Sequence, residues 1–422
     1  QHRIQRFQSL VNQIDTIMHQ TYKAELKIAE DACQRLAEDV YYKTIYQVQK
    51  QTGLGFSFSL IDDAAIKKAM SLKWYGKNYS ERIWVSTDRL AEKLKEELMV
   101  NFITGRTNRE AAESVQFEFA KGMQNARRLV RTESCYLANQ MEMQSYEECE
   151  IEKYRFVATL DLRTSDICRE LDGKVFLVSE QQPGKNCPPM HPYCRSTTVC
   201  DIGEAELARM ARRARNPETG RTETVPANMT YKQWYDQKVK GHPDAELNEK
   251  KIKHQSADKK QYQRYKDVFK DDAPKTLDDF QNMKYGKPEK WEFVKLDYQR
   301  RNELLQHPER KLPNAENAIL PEPKFTKYLF DKNSKSGYPK GKAFTSRLGY
   351  DESNWKKLQQ EIRYRSTKYP AQHVDNNGYG DRYVQKMILY GQKDTPANVV
   401  VAWIKKPDGT VGMTSAYIKE AK

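Results

Sequence analysis

Two cysteines and one histidine lie within the eight residues of the segment CPPMHPYC (residues 187–194), which three prolines stiffen. With an earlier cysteine, the residues Cys168, Cys187, His191 and Cys194 have the spacing C-x18-C-x3-H-x2-C. Zn²⁺ prefers thiolate and imidazole ligands in a tetrahedron, and three cysteines with one histidine fill all four positions. The sequence therefore predicts a structural zinc site, with a short hairpin after the first cysteine that returns it to the other ligands.

Two alternatives stay open for this cluster. Cys200 is a candidate to replace one of the four ligands. Alternatively, a proline-stiffened loop with buried thiols and a hydrogen-bonded histidine would need no metal. A catalytic zinc site keeps one coordination position open. The fully occupied set therefore favours a structural site over a zinc-dependent hydrolase.

All seven cysteines of the 422-residue chain lie between Cys33 and Cys200. An odd number of cysteines in a long chain without a signal-peptide pattern indicates reduced or metal-bound thiols. The formal net charge of +14 favours a polyanionic partner such as nucleic acid, although a larger assembly could balance the same charge. No run of 18 apolar residues is present, so we expect no membrane partner.

Composition changes along the chain indicate an α+β, multidomain protein. Residues 1–150 have the pattern of a helical region, and residues 151–235 that of a small zinc-stabilised β module. Residues 236–311 are a basic helical connector with sparse aromatic anchors. Residues 312–422 are expected to form an α+β domain with an antiparallel sheet.

Local patterns predict several element boundaries. An apolar face at helical spacing in the first helix comprises Ile4, Phe7, Leu10, Val11, Ile14 and Ile17. Further predicted elements are a helix capped near Ser86 and Thr87 and ending at Gly105, a helix capped by Thr107, a helix within residues 204–217, a short helix capped by Thr230, a proline-rich linker over residues 312–323, and a closing strand pair with Asp408-Gly409 at its turn.

Four phrases in order resemble the phage minor head proteins, also called head-morphogenesis proteins, over about residues 1–235. They are LKWYGKNYSERIW (72–84), ARRLVRTES (126–134), TLDLRTSDICRELDGKVF (159–176) and CPPMHPYCRSTT (187–198). The positions that carry the first two are Trp74, Gly76, Tyr79, Ser80, Glu81, Arg82 and Trp84, then Arg127, Arg131, Thr132 and Glu133. The family's closing pattern has a cysteine after the arginine, where this chain has Ser196.

The resemblance implies a virion protein beside the portal and the inner capsid, with portal and capsid proteins and phage DNA as partners. Some members of the family enter the host with the DNA, which implies two locations, the virion (capsid interior) and the host bacterial cytoplasm. Arginines around residues 127–131 and 209–215, in stretches predicted to be helical, are suited to phosphate contacts without sequence preference. The alternative is that these arginines pair with the chain's own carboxylates.

Beyond residue 312, the order of KFTKYLFDKNSKSGYPKGKAFTSRLGYDESNWKKLQQEI, RYRSTKYPAQHVDNNGYGDRY and NVVVAWIKKPDGTVGMTSAYI resembles the C-terminal toxin domains of bacterial polymorphic toxins. Those domains are predicted ribonucleases of the barnase/EndoU/colicin/RelE-like fold. The resemblance implies one or two helices on a twisted antiparallel sheet, RNA as substrate, and an immunity protein as a partner.

Metal-independent RNA cleavage requires a base for the 2′-hydroxyl, an acid for the 5′-oxygen and cations for the phosphorane charge. The histidine after residue 311 is His373, the candidate acid–base group. Candidate phosphate-binding cations are Lys342, Arg365 and Arg382, and candidate hydroxyl donors are Ser366, Thr367, Thr414 and Ser415. Tyr369, Tyr379 and Trp403 are candidates for stacking on a base, although the apolar run around Trp403 favours a core position.

The alternative function is a purely structural minor capsid protein whose C-terminal domain binds nucleic acid or the capsid without catalysis. The sequence contains no HExxH, P-loop or G-x-S-x-G motif, so protease, ATPase and lipase functions have no support.

Overall fold

The computed structural model describes residues 2–73, 76–104, 108–393 and 395–419. It divides into two compact units, unit one (Gln1–Glu246) and unit two (Leu247–Lys422). The chain combines long helices with three antiparallel sheets, which confirms the α+β class. Among the described residues, no helix has the length and apolar character needed to cross a bilayer. The predicted boundaries at Gly105 and Thr107, and the motif position Trp74, lie outside the described residues.

Unit one begins with four helices. They are α1 His2–Thr52, α2 Asp63–Ser71, α3 Tyr79–Thr104 and α4 Asn108–Glu148. Helices α1 and α4 share a buried apolar core, to which Ala37, Tyr41, Ile45, Val48, Leu137 and Met141 contribute. These side chains recur every three or four residues and so lie on one face of each helix. The predicted first helix is confirmed, but its early apolar face is not all buried, since Leu10 and Ile17 are exposed.

Helix α3 begins seven residues before the predicted cap at Ser86. Asn78 precedes it, and the Asn78 side chain accepts a hydrogen bond from Glu81 N at 2.9 Å. The Glu81 carboxylate accepts one from Asn78 N at 3.0 Å in return. Thr87 lies inside the helix, where its hydroxyl donates to Ile83 O at 3.0 Å. The prediction at Ser86 and Thr87 is wrong because a reciprocal cap upstream was available.

The second part of unit one is a small β module. Its elements are β1 Lys153–Val157, α5 Asp166–Leu171, β2 Val175–Leu177, β3 Thr197–Cys200, α6 Glu204–Arg209, β4 Ala211–Arg215, β5 Thr222–Pro226 and α7 Tyr231–Lys238. Strand β1 pairs antiparallel with β2 on one side and β3 on the other, and β4 pairs with β5. Thr230 caps α7 as predicted, through a reciprocal contact with Gln233.

The predicted helix within residues 204–217 is correct only up to Arg209. Beyond it the chain forms β4, and the Arg212 guanidinium bonds to the buried Asp172 carboxylate at 3.1 Å and to Met229 O at 3.0 Å. A buried acceptor for an arginine outweighs helix propensity at this position.

The described residues from Pro243 onward form six α-helices, a π-turn and one four-stranded sheet. The elements are α8 Pro243–Phe269, α9 Leu277–Gly286, α10 Pro288–Gln306, the short turn α11 Glu322–Lys324, the π-turn Phe325–Leu329, α12 Tyr338–Leu348, α13 Trp355–Ser366, β6 Ala371–Asn376, β7 Asp381–Leu389, β8 Ala397–Lys405 and β9 Val411–Ile418. An aromatic cluster holds α8, α9 and α10 together, with Tyr265 stacked on Tyr298 at 4.2 Å and Phe280 fully buried. These are the aromatic anchors predicted for the connector.

The C-terminal sheet is antiparallel in the order β6-β7-β8-β9. Its core lies under Val399, Val401 and Trp403, all buried, so the core position favoured for the tryptophan is confirmed. Asp408 and Gly409 form the predicted turn between β8 and β9, and Gly409 has the positive φ of 83° that such a turn requires.

Residues 312–323 are not a linker. Leu312, Ala315, Ala318 and Leu320 are buried in the core beneath the C-terminal sheet. The backbone between them also pairs with β9, since Ile319 N donates to Val411 O at 2.8 Å. Proline punctuation indicated an irregular backbone correctly, but these apolar side chains make the segment part of the packed body. The four-part division of the chain by composition stays a prediction.

Candidate functional sites

Three of the four predicted zinc ligands converge. Cys168 lies on α5, and His191 and Cys194 lie in the loop before β3. Cys168 Sγ is 3.5 Å from His191 Nε2 and 3.8 Å from Cys194 Sγ. All three donor atoms lie within 4.8 Å of one another. A tetrahedral Zn²⁺ with Zn–S near 2.3 Å and Zn–N near 2.0–2.1 Å places two sulfurs about 3.8 Å apart and sulfur and nitrogen about 3.5 Å apart. The observed distances fit that geometry.

The histidine has the tautomer that a metal site needs. His191 Nδ1 lies 2.8 Å from Pro192 O, and a carbonyl only accepts, so Nδ1 carries the proton. Nε2 therefore presents its lone pair to the two sulfurs, as in histidines held by a carbonyl behind a metal. The Ser165 hydroxyl, which donates to Nε2 at 2.8 Å, would turn aside for a metal.

Residues of the four resembling phrases hold this loop in place. Arg195 pairs with the buried Asp161 carboxylate, with Nη2 2.8 Å from Oδ1. Burial would raise the pKa of Asp161, but the hydrogen bond and charge of Arg195 outweigh it and lower the pKa. Tyr193 N donates to the Thr132 hydroxyl of α4 at 3.2 Å. The loop is therefore tied both to the module and to the long helix.

Cys187, the remaining predicted ligand, is outside the group of three. It is fully buried in the apolar core shared with Tyr154 and Val178, and its Sγ lies 3.6 Å from Pro188 O. Burial raises the pKa of the Cys187 thiol well above its ordinary value. Cys200, the substitute ligand, also lies in this core and donates to Gln51 Oε1 at 2.9 Å.

A thiol that the spacing did not single out lies beside the group. Cys135 of α4 packs against Cys194, although its sulfur is not among the three donor atoms that lie within 4.8 Å of one another. Its Sγ is 3.8 Å from Ser196 O, and it packs against the small cluster that contains Cys168 and Met190. No local motif marks Cys135 in the sequence, because its proximity depends on how α4 packs against the module.

A basic groove runs between α3 and α4. It is a cavity of about 620 Å³ whose lining includes five basic side chains and one acidic one: Lys77, Arg82, Arg89, Lys93 and Arg128, with Glu133. Arg82 Nη1 is 2.7 Å from the buried Glu133 carboxylate, and Lys93 pairs with Glu96. Lys77, Arg89 and Arg128 give the rest of the lining its positive charge. Of the arginines around residues 127–131 that were predicted to face phosphate, Arg128 lines this groove.

The second predicted arginine patch, residues 209–215, is different. Arg209 pairs with Glu206 at 2.9 Å, and Arg212 is bound to Asp172 inside the module. For these two residues the alternative of internal pairing applies.

The residues predicted for RNA cleavage do not form one site. His373 lies on β6, with Nε2 3.6 Å from Asp381 Oδ1, and Ser415 lies on β9. These are the two edge strands, separated by three strand spacings or about 14 Å. Thr414 donates to Ala402 O at 3.1 Å, and Lys342 of α12 lies over the Tyr338 ring at 5.0 Å.

The predicted residues at the end of α13 (Arg365, Ser366 and Thr367) bind other groups of the same domain. Arg365 is buried, and its Nε is 3.0 Å from Glu361 Oε1. Ser366 and Thr367 donate to the carbonyls of Arg363 and Tyr364 at 2.8 and 3.1 Å. Arg382 pairs with Asp375 on the surface.

A polar cluster missed by sequence reasoning lies at the β9 edge. Lys340 Nζ is 3.0 Å from the Tyr328 hydroxyl and 3.2 Å from Ser415 Oγ. The same ammonium lies over the Tyr328 and Tyr417 rings at 5.4 and 5.7 Å. All four side chains are partly accessible.

The cluster depends on close approach of α12 to the π-turn that carries Tyr328. A Cβ on Gly337 would lie 2.0 Å from Tyr328 O, and one on Gly341 would lie 1.8 Å from Leu329 O. Single π-turns are frequent at functional sites. The sequence signal was the pair of glycines around YPKGK, which predicts close backbone contact but not its partner.

These units define an α+β protein with a cysteine–histidine loop in unit one and a helix-on-sheet body in unit two. Residues 92–199 match the family model described as phage Mu protein F like protein. That range runs from α3 to β3 and includes the whole cysteine–histidine loop, so this part of unit one is similar to phage Mu protein F. Residues 311–420 match a domain of unknown function, DUF6883.

The chain is also similar to an NAD(+)–arginine ADP-ribosyltransferase, EFV, of Enterococcus faecalis. The two are 25% identical over 183 residues, which is 42% of this chain and 37% of the relative. The chain thus spans little more than a third of that protein. No solved structure matches the chain.

Proposed function

We propose that this chain is a minor head protein of a tailed phage or prophage that lies beside the portal on the inner side of the capsid. The phage Mu F-like match over residues 92–199 carries the proposal. Portal and capsid proteins and the packaged DNA are its partners in the virion, and delivery with the DNA would place it in the host cytoplasm. The groove between α3 and α4 supports contact with DNA, since phosphate is bound there by charge rather than by base sequence.

Zinc has a structural role in this proposal. Cys168, His191 and Cys194 supply three ligands, and Cys135 supplies the fourth in place of Cys187. Such a site would join α4, α5 and the loop before β3, three segments far apart in the chain. When bound, the metal supplies folding free energy to a module with a small apolar core.

The C-terminal body is proposed as a metal-independent ribonuclease, centred on Tyr328, Lys340 and Ser415. Two helices on an antiparallel sheet are the architecture that the resemblance to ribonuclease toxins implies. Hydrogen bonds from Lys340 and then Ser336 lower the pKa of Tyr328, which makes its hydroxyl a better acid.

The proposed reaction is an in-line transfer. The 2′-oxygen attacks phosphorus as its proton passes to a solvent water, and the P–O5′ bond breaks to leave a 2′,3′-cyclic phosphate. The departing 5′-oxygen takes the proton of the Tyr328 hydroxyl, and water later returns a proton to the phenolate. The Lys340 ammonium stabilises the charge on the phosphorane, and Ser415 donates to a phosphate oxygen.

Cleavage of total RNA by the full chain, with and without EDTA, tests this assignment. We expect EDTA to have no effect, and Tyr328→Phe or Lys340→Gln to lower the rate about 10²-fold or more, as for loss of a general acid or a charge-stabilising group. Tyr46→Phe, at an exposed tyrosine of unit one, and Lys335→Gln, at an exposed lysine five residues before Lys340, are the matched controls. His373→Ala tests the sequence-based acid–base candidate separately.

The alternative is a structural capsid protein whose C-terminal body binds nucleic acid or capsid without turnover. The dispersal of the sequence-predicted catalytic residues over both sheet edges favours it. Intact RNA at high protein concentration would support this alternative and exclude the ribonuclease. Consumption of NAD⁺ in the same preparations would point instead to the activity named for the enterococcal relative.

Co-purification with capsids tests the head assignment, and co-purification with a small neutralising protein tests the immunity partner.

A further inference from the structure

A cavity of about 540 Å³ in unit two is not marked by any sequence motif. Its lining comes from the residues after α8, from α9, α10 and α13, and from Tyr390 at the end of β7. Five basic and three acidic side chains line it: Lys275, Lys287, Lys290, Arg301 and Arg365, with Asp272, Asp279 and Asp297. The volume is within the range of small-molecule pockets, about 300–1,000 Å³.

Each of the three acidic side chains accepts hydrogen bonds from neighbouring groups of the protein. The Asp297 carboxylate accepts from Arg301 Nε at 2.8 Å, from Tyr390 OH at 2.9 Å and from Tyr369 OH. Asp279 caps α9 through Thr276, where its Oδ2 accepts from the backbone N at 3.1 Å.

Asp272 accepts from Arg301 Nη1 at 2.6 Å, Lys368 Nζ at 2.9 Å and Tyr364 OH at 2.8 Å. Burial alone would raise the pKa of Asp272, but these three hydrogen bonds outweigh it and lower the pKa to about 2. The carboxylate is therefore ionised, and Arg301 and Lys368 balance its charge.

Arg301 is the exception in this network. Its side chain is only 4% exposed, and Nη2 has no hydrogen-bond partner. A buried donor of a charged group left unpaired costs about 1–3 kcal/mol or more. The guanidinium is fixed by Nε and Nη1 and lies 5.1 Å from the Phe269 ring, so it cannot turn to satisfy Nη2 without breaking both bonds.

We propose that this cavity binds the phosphate group of a nucleotide or RNA end, with Arg301 Nη2 as a buried donor. Arginine presents planar N–H groups that match phosphate oxygens. Lys275, Lys287 and Lys290 add positive charge to the lining, and Phe269 and Tyr390 add aromatic surface that suits a base. This site is separate from the Tyr328–Lys340–Ser415 cluster and does not depend on the proposed ribonuclease.

Isothermal titration calorimetry of the full chain at low salt tests the site. The probes are inorganic phosphate, a nucleoside 5′-monophosphate, and a short RNA with and without a terminal phosphate. We expect inorganic phosphate to bind, and the terminal phosphate to strengthen RNA binding if an RNA end is the source. Arg301→Lys keeps the charge but removes Nη2 and should weaken phosphate binding tenfold or more.

A Lys275→Gln/Lys290→Gln double variant should weaken phosphate binding on the order of tenfold at low salt. Lys335→Gln, at an exposed lysine outside the cavity, should leave it unchanged. If circular dichroism shows that Arg301→Lys does not fold, the double lysine variant decides. Absence of phosphate binding at millimolar concentration, or equal affinity in the wild type and the folded variants, overturns the proposal. Tyr328→Phe should bind phosphate normally, which separates this result from the ribonuclease test.

Discussion

The seven cysteines show how neighbouring residues, rather than residue type, decide the role of a side chain. Cys187 and Cys200 lie in an apolar core with tyrosines and valines. Cys168 and Cys194 face each other and a histidine nitrogen at distances that fit a zinc tetrahedron. Cys135, on a different helix, packs against this second group. The two kinds of environment predict opposite responses to the same substitution.

Cys135→Ser and Cys187→Ser form a matched pair. If Cys135 is the fourth ligand, Cys135→Ser should lower zinc affinity by tenfold or more and reduce the bound metal after dialysis against a chelator. Cys187→Ser should keep about one zinc per chain while losing about 1–3 kcal/mol of stability, because it places a hydroxyl in an apolar core. Metal content by mass spectrometry and thermal unfolding of the full chain measure both quantities.

The reverse pattern, zinc lost in Cys187→Ser and kept in Cys135→Ser, would restore the ligand set predicted from spacing. A wild-type chain that folds fully and holds no zinc would exclude both sets.

Sequence spacing correctly predicted that Cys168, His191 and Cys194 lie together, because a short module brings its own loop residues close to one another. It could not identify Cys135, which is 33 residues before Cys168 and reaches the loop only through the packing of α4. The C-terminal cluster shows the same limit. Ser415 was a candidate from sequence, but Lys340 and Tyr328 join it only through the contact of α12 with the π-turn.

At the scale of secondary structure elements, local sequence pattern predicted α1 from its apolar periodicity, α7 from its capping Thr230 and the strands around Gly409 from their Asp-Gly turn, since local propensity and packing agree there. It failed where a distant partner decided the conformation. Arg212 lies in a stretch predicted to be helical, but it is in a strand and binds Asp172. Leu312 lies in a predicted linker, but its side chain is buried in the core. Tertiary contacts that involve buried charge or apolar surface outweigh propensities of less than about 1 kcal/mol per residue.

Gly341→Ala tests the close contact between α12 and the π-turn. Alanine in a helix interior is ordinarily more stable than glycine by about 0.5–1 kcal/mol. Here the added Cβ would lie 1.8 Å from Leu329 O, so the two elements must separate. We expect a loss of about 3 kcal/mol, at the upper end of the cost of overpacking.

Gly412→Ala in β9 is the control, because its Cβ would meet only Ile319 O at 3.9 Å. Chemical denaturation of unit two, followed by tryptophan fluorescence of the full chain, gives both free energies of unfolding. Equal stabilities of the two variants would contradict the contact. Separation of α12 from the π-turn should also move Lys340 away from Tyr328. Gly341→Ala should therefore lower both the stability and the rate of RNA cleavage, whereas Gly412→Ala should lower neither.

At the scale of the whole molecule, the basic side chains behind the net charge of +14 fall into two kinds of environment. Many basic side chains pair internally, as Arg212 does with Asp172 and Arg301 with Asp297. The groove between α3 and α4 instead gathers lysines and arginines around one paired acid. A protein that lies beside packaged DNA gains most from such an excess of positive charge, because every phosphate it neutralises releases a counterion.

Binding of the full chain to double-stranded DNA should therefore be independent of sequence and steeply dependent on salt. Arg89→Gln and Arg128→Gln, which remove two cations of the groove, should each weaken binding uniformly across DNA sequences and reduce the slope of log K against log salt by about 1. Lys23→Gln, at an exposed lysine on α1 outside the groove, should change neither by as much. Fluorescence anisotropy with two unrelated duplexes at several salt concentrations measures the slopes. If all three variants lose the same amount, DNA contact is a property of the total charge, and the groove has no special part in it.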